Sequence, residues 1–189
     1  MGLPSARMSS REYLEWEREQ LDRHEFHDGE VFAMSGGSLR HSALALAIGS
    51  ELRIAARGSE CTVHSSDQRV VLRSGHHYVY PDVSVVCGRH EIAEGSSDLL
   101  ANPCIIVEVL SRSTEAYDRG DKWAAYRQLE SLSEYVLVSQ TQARIEVYRR
   151  EGDGWRYEVV EAGGSLTLAG RFTLAVDAIY EGVLELPAT

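Results

Sequence analysis

Residues 104–110, Cys-Ile-Ile-Val-Glu-Val-Leu, form an apolar run of strand length broken only by Glu108. A run without polar alternation suits a strand covered on both faces, so this segment is predicted to lie at the centre of a sheet with helices packed on it. Period-two alternation puts Glu108 on the same face as Ile106 and Leu110. An unpaired carboxylate there costs several kcal/mol, roughly, even after the protein relaxes. It therefore needs a cation, a metal or a proton.

A cation of an unusual kind follows fourteen residues later. Lys122 is the only lysine beside eighteen arginines, and its compact ammonium is not interchangeable with a planar guanidinium. Asp118-Arg119-Gly120-Asp121-Lys122 opens a helix predicted over 118–129, in which Lys122 shares a stripe with Tyr126 and Leu129. That stripe directs the ammonium toward the sheet. Asp118, four residues before Lys122, offers the alternative of a helix-surface pair worth roughly 0.3 to 0.5 kcal/mol.

A second carboxylate stands out in Tyr80-Pro81-Asp82-Val83. In a strand predicted over 78–86, alternation sets Asp82 with Tyr78, Tyr80 and Ser84, opposite Val79, Val83 and Val85. Pro81 donates no ladder N–H and favours an edge, a bulge or a bend, devices often found beside active sites. An ordinary solvated Asp after a strand proline is the other reading. Two hard carboxylate oxygens on neighbouring strands, Asp82 and Glu108, are a donor set that Mg²⁺ accepts. A buried ion pair of Glu108 with an Arg competes with it.

Around these anchors the chain reads as a mixed α/β sheet flanked by helices, with accessory hairpins, in one domain over 1–189 whose residues 1–8 are expected to be flexible. Ser9 and Glu12 make a capping box before a short helix through Tyr13, Trp16 and Leu21. Asp28-Gly29 favours a two-residue hairpin turn that puts Glu25, His27, Glu30 and Phe32 on one face. The carboxylates Glu25 and Glu30 could reach a metal from there, although a solvated hairpin face explains them equally. After Gly36-Gly37, Ser38 caps a helix to about Arg57 whose buried stripe, Leu44, Ala45, Ile48 and Leu52, is headed by His41. A histidine so placed is either a site residue or a satisfied core residue. Further strands are predicted over 61–64, 68–72, 135–138, 144–148 and 155–160, with a turn at Ser74-Gly75 and another at Gly152-Asp153-Gly154. One turn of helix is expected near Ile179.

Several classes are set aside. Cys61, Cys87 and Cys104 are odd in number and widely spaced, so they are read as reduced thiols and not as a disulfide framework or zinc site. No apolar stretch suits a signal peptide or a membrane span, which predicts a cytoplasmic protein. Walker, G-x-S-x-G, H-E-x-x-H and Rossmann fingerprints are absent from the sequence. The net charge of −10 argues against a broad phosphate-binding surface, though acidic residues gathered at a metal site also enter that sum.

A strand with Pro-Asp, a later strand with Glu and a nearby Lys resemble the PD-(D/E)XK nuclease superfamily, and more narrowly the bacterial Uma-two family of restriction-type endonucleases. The stretches that carry the resemblance are His24-Glu25-Phe26-His27-Asp28-Gly29-Glu30, His41, Ser66-Asp67, Tyr80 through Val86, Val107 through Ser111 with Thr114, and Asp118 through Lys122 to Tyr126. One departure stands in Glu108-Val109-Leu110, which has Leu where a standard member has its lysine. The resemblance implies that the lysine has migrated to Lys122 on the following helix. It further implies a restriction-endonuclease-like fold and hydrolysis of DNA phosphodiester bonds with Mg²⁺ (or Mn²⁺) held by Asp82 and Glu108. Lys122 would orient the attacking water or neutralise developing charge, and Glu25, Glu30, His41 and Asp118 would bind or position. The expected partners are DNA and a second copy of the chain in a homodimer, with no membrane. The rival functions are an inactive nuclease-fold interaction module and a metal-dependent hydrolase of a small phosphoester.

Overall fold

The backbone of the apolar run finds its hydrogen bonds on both sides. In a computed structural model, which describes residues 6–34, 36–72 and 75–187, β8 (Ile105–Val109) lies between β7 (Val83–Cys87), antiparallel to it, and β9 (Glu134–Val138), parallel to it. The sheet extends through β10 (Arg144–Glu151) and β11 (Gly154–Glu161) on one side and β4 (Cys61–Ser65) on the other, giving six strands in the order β11-β10-β9-β8-β7-β4. A parallel neighbour requires a crossover, and the chain between β8 and β9 supplies one. That crossover carries Lys122.

Both faces are covered, as an all-apolar strand demands. Helix α2 (Leu39–Ala55), capped by the Ser38 hydroxyl accepting the His41 N–H, lays Leu44, Ile48 and Leu52 on Val83, Val85, Ile105, Val107 and Val109. On the opposite face, Ala125 and Tyr126 of α4 (Trp123–Tyr126) pack with Ile106, Leu110, Tyr135 and Leu137. Each large apolar side chain so buried contributes about 1.5 to 3 kcal/mol relative to exposure. Glu108 faces the α4 side.

A second sheet of five strands has the order β1-β3-β2-β6-β5, built from β1 (Ala6–Arg7), β3 (Glu30–Ala33), β2 (His24–His27), β6 (His77–Val79) and β5 (Val70–Leu72). The β2–β3 turn has positive φ at both Asp28 (45°) and Gly29 (93°), with His27 opposite Glu30, as a type I′ hairpin needs.

Four expectations are corrected. The strand predicted over 78–86 is two strands in two sheets: β6 ends at Val79, β7 begins at Val83, and Tyr80-Pro81-Asp82 bends between them. Pro81 cannot continue a ladder, so the chain changes sheets there. The helix predicted over 118–129 starts earlier, as α3 (Glu115–Tyr117), winds through a π-helical turn at Asp118–Lys122, and ends with α4 at Tyr126. Helix α1 (Ser10–Glu17) has the Ser9/Glu12 capping box but stops short of Leu21, which is fully exposed. Cys61 and Cys87, directly opposite each other on β4 and β7, form a disulfide, and Cys104 is the free thiol. Sequence spacing reports nothing about such cross-strand proximity. Ala6 and Arg7 pair with β3, whereas residues 1–5 and Ser74 of the predicted turn lie outside the described residues. Among the described residues, no helix is long and apolar enough to cross a membrane.

Candidate active site

Three carboxylates converge on one ammonium at the end of β8, and a fourth, Asp82, lines the same cleft. Glu108, only 4% exposed, accepts from Lys122 Nζ (2.9 Å) and from the Tyr126 hydroxyl (2.8 Å) on the same Oε1. Lys122 is equally buried and bridges to Glu25 Oε1 at 3.0 Å on β2, with Asp118 Oδ1 at 3.9 Å one turn back on its own helix. The π-turn winds the stretch that holds both Asp118 and Lys122, and such irregular turns recur at functional sites. The ammonium thus ties the five-stranded sheet, the six-stranded sheet and the crossover helix together.

The electrostatics follow from burial and crowding. Burial pushes the Glu108 carboxyl up, Lys122 pulls it down, and the charges of Asp118, Asp82 and Glu25 push it up again, leaving it at about 8. Burial likewise raises Glu25, but Lys122 and His27 draw it down to about 2. Asp118 is raised by burial despite Lys122 and a bond to Thr114. Burial opposes the charge on Lys122, yet Glu108 and Glu25 hold its proton far above the ordinary lysine range.

Asp82 reaches the same cleft from the bend before β7. Its Oδ2 accepts the Val109 N–H at 2.7 Å, fastening the bend to β8, and its Oδ1 accepts from His41 Nε2 at 2.8 Å. Burial lowers His41, but the bond to Asp82 and its charge outweigh this and raise it above the ordinary histidine value. Gly37 makes room for that imidazole, since a Cβ at this position would stand 2.7 Å from His41 Cδ2. A cleft of about 780 Å³ is lined by Glu25, His41, Asp82, Glu108, Asp118 and Lys122 among others.

Of the residues singled out in the sequence, these six come together and Glu30 does not. It lies on β3 beside the turn, paired with Arg7. Tyr126, which bonds Glu108, and the Tyr80 N–H, which donates to Glu25 Oε1 at 3.2 Å, were not anticipated. The position of Tyr126 four residues after Lys122 was the available signal. The oxygens of this set are hard donors of the kind that a divalent cation such as Mg²⁺ takes. Two carboxylates, Asp82 and Glu108, share one cleft, and the floor holds more carboxylates than the one ammonium and one imidazole can balance. Among the described residues, no group of three or more His, Cys, Asp or Glu side chains is arranged to hold a metal alone. An ion here would complete its shell with water and substrate oxygens, as Mg²⁺ commonly does.

Comparison with known proteins places this geometry in context. A family model, Uma2, described as "Putative restriction endonuclease", matches residues 10–177. The chain is 37% identical over 182 residues to "Uncharacterized protein slr1290" of Synechocystis sp., covering 95% of each chain. It is 31% identical over 146 residues to "Uncharacterized protein sll1609" of the same organism, covering 77% of this chain and 82% of the relative. A crystal structure of "a putative nuclease belonging to DUF820" from Anabaena variabilis superposes with a TM-score of 0.76 at 17% identity, over 94% of this chain and 99% of that one. The fold is therefore the expected restriction-endonuclease-like α/β one.

Proposed function

The chain belongs to the Uma2 family of restriction-endonuclease-like proteins, and from that premise we propose that it is a metal-dependent endonuclease acting on the phosphodiester bonds of DNA. The observation that carries this reading is the buried Lys122 ammonium, shared by Glu108 and Glu25 on the floor of the cleft that also holds Asp82. A structural ion pair needs one partner of each sign. The four carboxylates that meet at Lys122 and His41, those of Glu25, Asp82, Glu108 and Asp118, outnumber that ammonium and imidazole, a local deficit that a divalent ion matches and that argues against a merely structural pair.

Asp82 and Glu108 would hold Mg²⁺ or Mn²⁺, which supplies Lewis-acid polarisation of a phosphoryl oxygen and activation of water at neutral pH. Lys122 keeps its proton, is fixed by Glu25 and Asp118, and sets a positive charge where negative charge grows on the attacked phosphate. It also presents N–H donors that can orient the attacking water. His41 and the Val109 N–H immobilise Asp82, so both are positioning groups. Glu30, tied to Arg7, has no part in this reading. A homodimer would supply the two sites that cutting both strands of a duplex requires, and a chromosomal DNA substrate would put the reaction in the cytoplasm.

Nicking of supercoiled plasmid in Mg²⁺ or Mn²⁺, run beside bis(p-nitrophenyl) phosphate, tests this. Metal-dependent nicking much faster than hydrolysis of the small diester is the expected result. Hydrolysis of the small diester alone would assign a small-phosphoester hydrolase, and no cleavage of either would leave an interaction module.

A further inference from the structure

Four guanidiniums line the same cleft, those of Arg40, Arg112, Arg119 and Arg144, and they are not equivalent. Arg119 forms a two-pronged pair with Glu146 (2.6 and 2.9 Å) and bonds Glu115 (2.9 Å). Arg144 bonds Glu146 (3.2 Å) and Glu161 (3.0 Å). Both charges are answered by carboxylates.

Arg40 is held differently. Its Nε, Nη1 and Nη2 donate to the carbonyls of Leu186 (2.8 Å), Gln140 (3.2 Å) and Leu184 (2.8 Å). Carbonyls fix the plane of the guanidinium but bring no formal charge, so among the described residues its positive charge has no carboxylate partner. Three of its N–H groups are used, leaving one on each terminal nitrogen, a spacing that suits two oxygens of one phosphate. Arg112 is exposed four residues after Glu108 and, among the described residues, has neither an ion pair nor a hydrogen bond. One uncompensated cation therefore adjoins His41 and the other follows Glu108.

We infer that Arg40 and Arg112 bind two non-scissile phosphates of the DNA backbone and hold the strand across the carboxylate floor. The inference rests on the nuclease reading above. It also answers how a chain of net charge −10 can take a polyanion: the attraction is local, and these two residues supply it.

The test is the salt dependence of binding to a fluorescein-labelled DNA duplex, followed by anisotropy with Ca²⁺ in place of the catalytic ion. Each phosphate contact on a duplex adds about 0.9 to the slope of log K against log salt. Arg112→Gln and Arg40→Gln should each lower the slope by about that amount, while Arg11→Gln, on α1 and paired with Glu15, should leave it unchanged. Arg40→Lys keeps the charge and should keep the slope with weaker affinity. A purely structural clasp for residues 184–186 predicts instead a lower melting temperature and an unchanged slope in Arg40→Gln. A wild-type slope in Arg112→Gln overturns the inference even if the protein cuts DNA. Failure of the wild-type chain both to bind and to cut DNA removes the nuclease reading with it.

Discussion

The Glu108 carboxyl gives up its proton at a higher pH than a solvated glutamate does. Its carboxyl is displaced from 4.5 to about 8, chiefly by burial and then, against the pull of Lys122, by the neighbouring acids. The native chain therefore binds a proton here between those two values that the unfolded chain releases. The stabilisation is complete below pH 4.5 and is lost as pH rises through about 8. Glu25 has the opposite sign: its carboxyl sits at about 2, so its contribution is present above 4.5 and is lost as pH falls toward 2. In thermal melts with chelator, wild type should lose Tm between pH 5 and pH 8, roughly the Glu108 window, and Glu108→Gln should lose much less. The Gln variant should be the more stable of the two once Glu108 is ionised. If Glu108→Gln is destabilised by several kcal/mol at every pH, Glu108 is one half of a structural ion pair instead. Adding Mn²⁺ should reverse the order and favour wild type, because the ion removes the repulsion among the acids.

At the scale of elements, what could be read in the sequence was local. The Asp28-Gly29 turn, the Ser38 cap and the central strand rest on propensity, capping and periodicity within a few residues, and all three stand in the structure. The change of sheet at Pro81 could not be placed, because a proline shows that a ladder is interrupted but not where the chain goes next. The π-turn at Asp118–Lys122 leaves no mark in a pattern of period 3.6, and the Cys61–Cys87 bond depends on strand register. Gly120 within that turn has open space where a Cβ would stand and does not require positive φ. Gly120→Ala should therefore raise stability by about 0.4 to 1 kcal/mol in urea unfolding. Destabilisation would mean that the turn needs the freedom of glycine. The disulfide closes a separation of 26 residues. By loop entropy its reduction should cost about 3.5 kcal/mol, seen as a lower Tm in reductant and in Cys61→Ser alike. Identical melts with and without reductant would show that the bond contributes nothing.

Across the whole molecule, the candidate site is a product of tertiary folding. Asp82, Glu108 and Lys122 were each conspicuous in the sequence through a proline, an apolar run and a solitary lysine. Sequence alternation grouped Glu25 with Glu30, yet only Glu25 reaches the ammonium, because the five-stranded sheet brings one end of β2 to the cleft and leaves the turn beside Arg7. Lys122 is where the two sheets and the crossover helix meet, so its substitution probes the entire arrangement. If it serves catalysis, a bulkier planar guanidinium cannot replace a buried ammonium held at 2.9 and 3.0 Å by Glu108 and Glu25, although the charge is kept. The decisive measurement is the Mg²⁺-dependent nicking rate of Lys122→Arg against wild type, on protein shown by calorimetry to be folded and to bind Mn²⁺ with nearly wild-type affinity. Loss of most of the rate is the predicted result, and wild-type nicking by Lys122→Arg would contradict the catalytic assignment.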